Sequence, residues 1–360
     1  MRDLANRRLR AFWLAAFLAL SLSGCAPERA AVSQRVAPTA APSATLVPTF
    51  TPQPTSPPTA APTAPPTPTA LPAAGVTQEG RFRSAALEAD VRYVVYLPPD
   101  YAQTGLRYSV FYLLHGKGGG MSEWLHVKAD LDRLIAAGKM PPVIAVLPDA
   151  PFSLRSSYYV DSSYAGNDAI PRGEKVETAL THDLIAHVDA TYRTIATRDA
   201  RVIGGLSMGG WGALRYALAH PDRYRAAIIL SPAVYIPTPP AESGMRALGA
   251  FGKGAVLFDE ATYTEKNYPA LLEKVFRPAR LPLALFIAAG DDEHHYARPE
   301  DQEHDMDLEA HRLYNTVIRV PNMTAELRIL QGGHSWEVWR PAFVEGAAYV
   351  AQFIQAPIRQ

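Results

Sequence analysis

Residues 76–360 predict an α/β fold, with a mostly parallel central sheet and helices on both faces. Two observations carry this. From Tyr108 onward, apolar runs of strand length alternate with longer segments of helical period, the order that builds parallel sheets. Those runs are nearly continuous in apolar residues, as strands covered on both sides require.

Taken in order, residues 80–87 and 91–99 alternate in polarity and suit an antiparallel edge. Residues 108–116, "YSVFYLLHG", form an apolar run that stops at a glycine; a helical segment over 122–138 and a second apolar run over 142–150 follow. Residues 151–174 have no period and predict a long loop. A helix is expected over 176–194, a strand over 200–207 and a helix over 209–220. Strands at 226–234 and 282–290, a helix at 306–318, a strand at 325–333 and a helix at 342–354 complete the pattern. Ligands of such sheets bind beyond the carboxyl ends of the strands.

The N-terminal segments differ in kind. Residues 1–24 carry Arg2, Arg7, Arg8 and Arg10, then an apolar run too short for a stable membrane span, the layout of an export signal. "LSGC", ending at Cys25, resembles a bacterial lipoprotein box, which implies lipidation of Cys25 and a membrane-anchored protein outside the cytoplasm, at the cell surface or periplasmic face. Cys25 is the only cysteine, so no internal disulfide is available. Residues 25–75 are dominated by Pro, Thr, Ala and Ser, a composition that favours an extended spacer. Fully extended, it reaches on the order of 150 Å. Lys plus Arg and Asp plus Glu each number 35, and no basic run follows the signal, which argues against a nucleic-acid partner.

Three strand ends carry chemistry. Gly205 to Gly209 read G-L-S-M-G between a strand and a helix, the context in which a G-x-S-x-G turn exposes a nucleophilic serine, here Ser207. "HGKGGG", residues 115–120, brings backbone N–H groups close to a ligand; the amides of Lys117 and Met208 are the expected oxyanion donors, and His115 suits a structural place. "GGHSWEVW" puts His334 after the last strand, where the base of such a serine belongs. An acid to orient that base is expected after residues 282–290, where the candidates are Asp291, Asp292 and Glu293; position leaves Asp292 and Glu293 level.

These segments resemble the esterase D branch of the α/β-hydrolases, which includes feruloyl and acetyl-xylan esterases, enterochelin-esterase-like proteins and mycolyltransferases of the antigen 85 type. The resemblance spans nearly all of residues 80–356 and is carried by "YLLHGKGGGMSEW", "LIAHVDATYRT", "RVIGGLSMGGWGALRYALAHPDRYRAAIILSPA" and "GGHSWEVWRPAF". It implies the α/β-hydrolase fold, Ser207 as nucleophile, His334 as base and an oxyanion hole from the Lys117 and Met208 amides, acting without a cofactor on a small-molecule or carbohydrate ester. Transfer of the acyl group to a sugar or lipid alcohol, and a non-catalytic surface-binding module, are the alternatives. The polar insert after the acid region departs from the family's pattern. Its His294, His295, Asp301, His304 and Asp305 match no established zinc spacing, so no metal is expected. Trp124, Tyr158, Tyr159 and Tyr164 are candidates for stacking on an aromatic acyl group or a sugar, or else for covering the core.

Overall fold

The computed structural model describes residues 74–294 and 298–359. The signal, Cys25 and nearly all of the Pro/Thr-rich segment lie outside these residues, as do His295 and its two successors.

Ten strands form in chain order: β1 (Val76–Ser84), β2 (Ala89–Leu97), β3 (Ser109–Leu114), β4 (Val143–Pro148), β5 (Ser163–Tyr164), β6 (Arg201–Leu206), β7 (Ala226–Leu230), β8 (Lys253–Gly254), β9 (Leu283–Gly290) and β10 (Met323–Leu330). Eight of them make one sheet in the order β1-β2-β4-β3-β6-β7-β9-β10, while β5 and β8 pair separately. β1 and β2 are antiparallel to each other and β2 to β4; every pair from β4 through β10 is parallel.

Alternation within the central strands explains why they read as continuous apolar runs. In β3, Val110, Tyr112 and Leu114 join the core on one face, and Phe111 and Leu113 join the core on the other. β9 divides the same way, with Leu283, Leu285, Ile287 and Ala289 opposed to Ala284, Phe286 and Ala288. Helices Leu184–Thr191, Met208–Ala219 and Met306–Val317 supply the first core, and helices Lys128–Ala136 and Trp336–Val350 the second. The outermost strands are more exposed and carry charge, as edges should: Arg328 on β10 bonds Glu326 and Glu345, and Arg92 on β2 pairs with Glu79 on β1.

Several elements depart from the expected boundaries: β7 ends at Leu230 and not at 234, and β10 runs Met323–Leu330 and not 325–333. The last helix starts at Trp336, not 342, because Ser335 caps it by accepting the Glu337 N–H, and Pro341 sits inside the helix. Residues 260–279, which show no clear period, form a chain of short helical pieces, Glu260–Lys266, Tyr268–Leu271, Leu272–Phe276 and Arg277–Ala279.

Chain order reverses at β3: β4 lies on one side of it and β6 on the other. Their registers pair Leu114 with Gly205, so the loops leaving β3 and β6 emerge side by side, at the switch point where such sheets bind ligands.

Phe286 is fully buried in the second core, packed against the small residue Gly346 and near the Tyr349 ring. Phe286→Ala is expected to cost about 3–5 kcal/mol, measured as a lower urea midpoint with an unchanged slope.

Candidate functional site

Ser207 joins β6 to helix Met208–Ala219 with φ 54° and ψ −118°, a conformation that is strained for any side chain other than glycine's. Its neighbours hold it there. The Ser207 N–H donates to Leu230 O at the end of β7 (2.9 Å), and Ser207 O accepts from Trp211 N–H (3.1 Å). The turn closes so tightly that a β-carbon on Gly205 would lie 2.0 Å from Gly209 O, and one on Gly209 would lie 2.1 Å from Leu114 O. Both outer glycines of the motif are therefore dictated by backbone contact.

His334 and Glu293 arrive from the two neighbouring strand ends. β9 and β10 pair in parallel with Gly290 opposite Leu330, so the loops carrying Glu293 and His334 leave the sheet together. His334 Nδ1 lies 2.8 Å from Glu293 Oε2. A carboxylate only accepts, so the proton of this bond sits on Nδ1, and Nε2 is the basic nitrogen. The Glu293 side chain is fully buried, and its other oxygen accepts two bonds of 2.6 Å, from Ser231 Oγ–H and from Gly290 N–H. Ser231 Oγ in turn accepts from Trp339 Nε1 (2.9 Å), and the Trp339 ring stands edge-on to His334 at 4.8 Å between centroids.

The sequence left Asp292 level with Glu293, and the structure separates them. The Asp292 side chain is 72% exposed and pairs with His294 at 3.1 Å, because successive residues of this turn point to opposite sides. Asp291 is also turned away, accepting from Gly332 N–H.

The loop at the end of β3 lies beside the serine: the β-carbon position of Gly116 is 3.7 Å from Ser207 Cβ. Glu123 and Arg155 pin this loop. Glu123 Oε2 accepts from Gly116 N–H (2.7 Å), Arg155 O accepts from Gly118 N–H (2.9 Å), and Arg155 donates both to Gly119 O (2.8 Å) and to Asp149 (2.6 Å). Burial raises the Glu123 carboxyl above the usual carboxylate range, a push opposed by the Gly116 N–H. Beneath the loop, buried His115 accepts the Ala150 N–H at Nε2 (3.0 Å), so its proton is on Nδ1 and bonds Gly116 O (2.8 Å). Among the described residues, neither the Lys117 nor the Met208 N–H makes a hydrogen bond, which leaves both available to an incoming oxygen.

Glu123, Arg155, Ser231 and Trp339 were not singled out from the sequence. Each acts on a partner distant in the chain or across a turn, and the "SEW" and "LSPA" stretches that hold two of them follow strand ends without a distinguishing pattern. Ser153, Leu154, Arg155, Tyr158 and Tyr159 all adopt left-handed φ, between 47° and 63°, a concentration of strain in the segment that brings Arg155 to the loop.

The four aromatic candidates are core and support, not a stacking surface. Trp124 is fully buried, donates to Leu114 O (3.0 Å) and packs on Phe343. Tyr159 is fully buried and donates to His115 O (2.8 Å), while Tyr158 is buried against Trp211 and Phe251. Tyr164 is buried with its ring over Gly249 and Gly252. Long apolar rings in a loop that must itself be covered serve to anchor that loop. In the polar insert, His294 also faces Asp305 (3.4 Å) and His304 bonds buried Glu309 (3.0 Å). Among the described residues, no three His, Cys, Asp or Glu side chains gather as metal ligands would.

A mostly parallel sheet with a strained serine turn, a histidine–carboxylate pair and a glycine-rich loop at its strand ends defines the α/β-hydrolase class of fold. Solved structures agree. A ferulic acid esterase matches with a TM-score of 0.61 at 26% identity, over 78% of this chain and 99% of its own. An S-formylglutathione hydrolase from Agrobacterium tumefaciens matches with a TM-score of 0.60 at 19% identity, over 79% and 97%, a likeness of fold. Residues 84–350 match the family model described as putative esterase, and the chain belongs to that family, in accord with its esterase D-like motifs. In sequence it is 36% identical over 148 residues to Esterase Rv1288 of Mycobacterium tuberculosis, and 33% identical over 150 residues to an endo-1,4-beta-xylanase/feruloyl esterase of Xylanibacter ruminicola. These stretches cover 41% and 40% of this chain but only 30% and 20% of those relatives.

Burial holds His115 below its ordinary value of 6.5, so protonation opposes folding. The unfolded chain then binds the proton more readily, and the contribution is complete above about 6.5 and lost as pH falls below it. Urea unfolding between pH 8 and 5 is expected to show stability declining below about 6.5, with a shallower decline in His115→Gln.

Proposed function

We propose that the protein is a serine carboxylic-ester hydrolase that works through an acyl-enzyme on Ser207. The observation that carries this reading is the His334–Glu293 pair at the strand ends beside the Ser207 turn, with its basic nitrogen not engaged by the carboxylate. Ser207 Oγ attacks the ester carbonyl carbon as its proton passes to His334 Nε2, and buried Glu293 steadies the imidazolium. The negative oxygen of the tetrahedral intermediate is received by the Lys117 and Met208 N–H groups, each worth about 3–4 kcal/mol in comparable sites. The ester C–O bond then breaks, and the alcohol leaves with the proton from His334. Water repeats the sequence: His334 takes its proton, its oxygen bonds the acyl carbon, and the acid departs as Ser207 regains its hydrogen.

The substrates in this reading are acyl esters of carbohydrates, of feruloyl or acetyl type. Support comes from the ferulic acid esterase structure and from the xylanase/feruloyl esterase relative. In this reading the enzyme works outside the cytoplasm, tethered to a membrane by lipid with residues 25–75 as spacer; the export-signal layout of residues 1–24 and the "LSGC" stretch ending at Cys25 support it.

The full-length protein is expected to hydrolyse short-chain nitrophenyl esters, methyl ferulate or acetylated xylan. Ser207→Ala should lower kcat/KM about a thousandfold or more; an equally active mutant, or an inert wild type, would overturn the reading. In the same assay Glu293→Gln should cost on the order of a hundred- to ten-thousandfold, chiefly in kcat. Asp292→Asn, on the solvent side of the turn, should stay within about twofold.

A further inference from the structure

Lys117 supplies more to this region than its amide. Its side chain bends toward the turn at 243–246 and rests its ammonium on Gly244: a β-carbon there would fall 2.1 Å from Lys117 Nζ and 3.3 Å from Cε. That turn is a firm wall. Ser243 caps it by accepting the Met245 N–H, and both Ser243 and Met245 are buried. Lys117 is exposed, and its ammonium lies against this turn, a four-carbon stem away from the backbone N–H assigned to the reacting carbonyl.

Acids that might neutralise it are committed elsewhere. Glu123 accepts from Gly116 N–H, Asp149 pairs with Arg155, and Glu242, two residues before Gly244, pairs with Arg298. Among the described residues Lys117 forms no ion pair, and its ammonium lies close to Gly244.

We propose that Lys117 Nζ is a subsite for an anionic oxygen group, a carboxylate or phosphate, that the ester carries within a few bonds of its reacting carbonyl. This rests on the hydrolase reading above and narrows its substrates to charged esters. The anion can belong to the acyl half or to the alcohol half, and matched substrates tell them apart: nitrophenyl butyrate against the nitrophenyl hemiester of succinate, and an acetylated neutral sugar against the acetylated uronic acid.

Wild-type kcat/KM should favour the anionic member of one pair by up to about fivefold, the range of an exposed ion pair, and less at high salt. Lys117→Met should abolish that ratio and Lys117→Arg preserve it. Gly244→Ala keeps the charge and the Lys117 amide but puts a methyl group where the ammonium lies; Gly244 has no left-handed φ, so the backbone accepts alanine. It should lower the ratio while neutral esters are still hydrolysed. No anionic preference in either pair, or a preference that survives in Lys117→Met, overturns the subsite. A binding arm needs no turnover: NMR titration of Ser207→Ala with succinate monoamide and with butyramide should show stronger binding of the anion, lost when Lys117→Met is added. Equal binding overturns the subsite, whereas a binding contrast in a protein that hydrolyses no ester counts against the hydrolase reading alone.

Discussion

The site depends on keeping one buried carboxylate satisfied. A charge removed from water is tolerated only where donors replace the lost hydration. Glu293 has a side chain with no exposure and is met by three donors: the Ser231 hydroxyl, the Gly290 N–H and the His334 ring. Ser231 follows β7, Gly290 ends β9 and His334 follows β10, so satisfying one oxygen pair fixes three strand ends relative to one another. Trp339 extends the chain of contacts into the last helix by donating to Ser231 and flanking His334. The acid therefore orients the histidine and also knits the rim together.

The opposite flank is rigid for a different reason. Its loop is rich in glycine, yet its groups are bonded one by one: Gly116 to Glu123, Gly118 and Gly119 to Arg155, and Gly116 again to His115. Arg155 reaches the loop from a segment with five residues in left-handed φ, a conformation held by its bonds to Asp149 and by the buried rings of Tyr158 and Tyr159. Strain sits in that segment and at Ser207, flanking the Lys117 and Met208 amides, which among the described residues make no hydrogen bond of their own. Such preorganisation is what makes a set of dipoles effective on a charge that develops only in a transition state.

Much of this was legible along the chain because it is local. A continuous apolar run reports a strand buried on both faces, and G-x-S-x-G reports a turn too tight for side chains, which the contacts of Gly205 and Gly209 explain atom by atom. His334 was legible from its glycine turn after the last strand. The last helix's true start was not, because it depends on Ser335 accepting the Glu337 N–H.

The order of elements, the mostly parallel sheet and the positions at strand ends where a serine and a histidine fall are thus written along the chain. Packing in three dimensions separates Asp292 from Glu293, since adjacent residues of one turn differ in direction and not in chemistry: one pairs with His294 in solvent, the other with His334 in the interior. It also decided that Trp124, Tyr158, Tyr159 and Tyr164 are covered, and that Glu123, Arg155 and Ser231 support the site. Burial and long-range partners are properties of how segments pack, and composition along one segment carries no record of what the fold will lay against it.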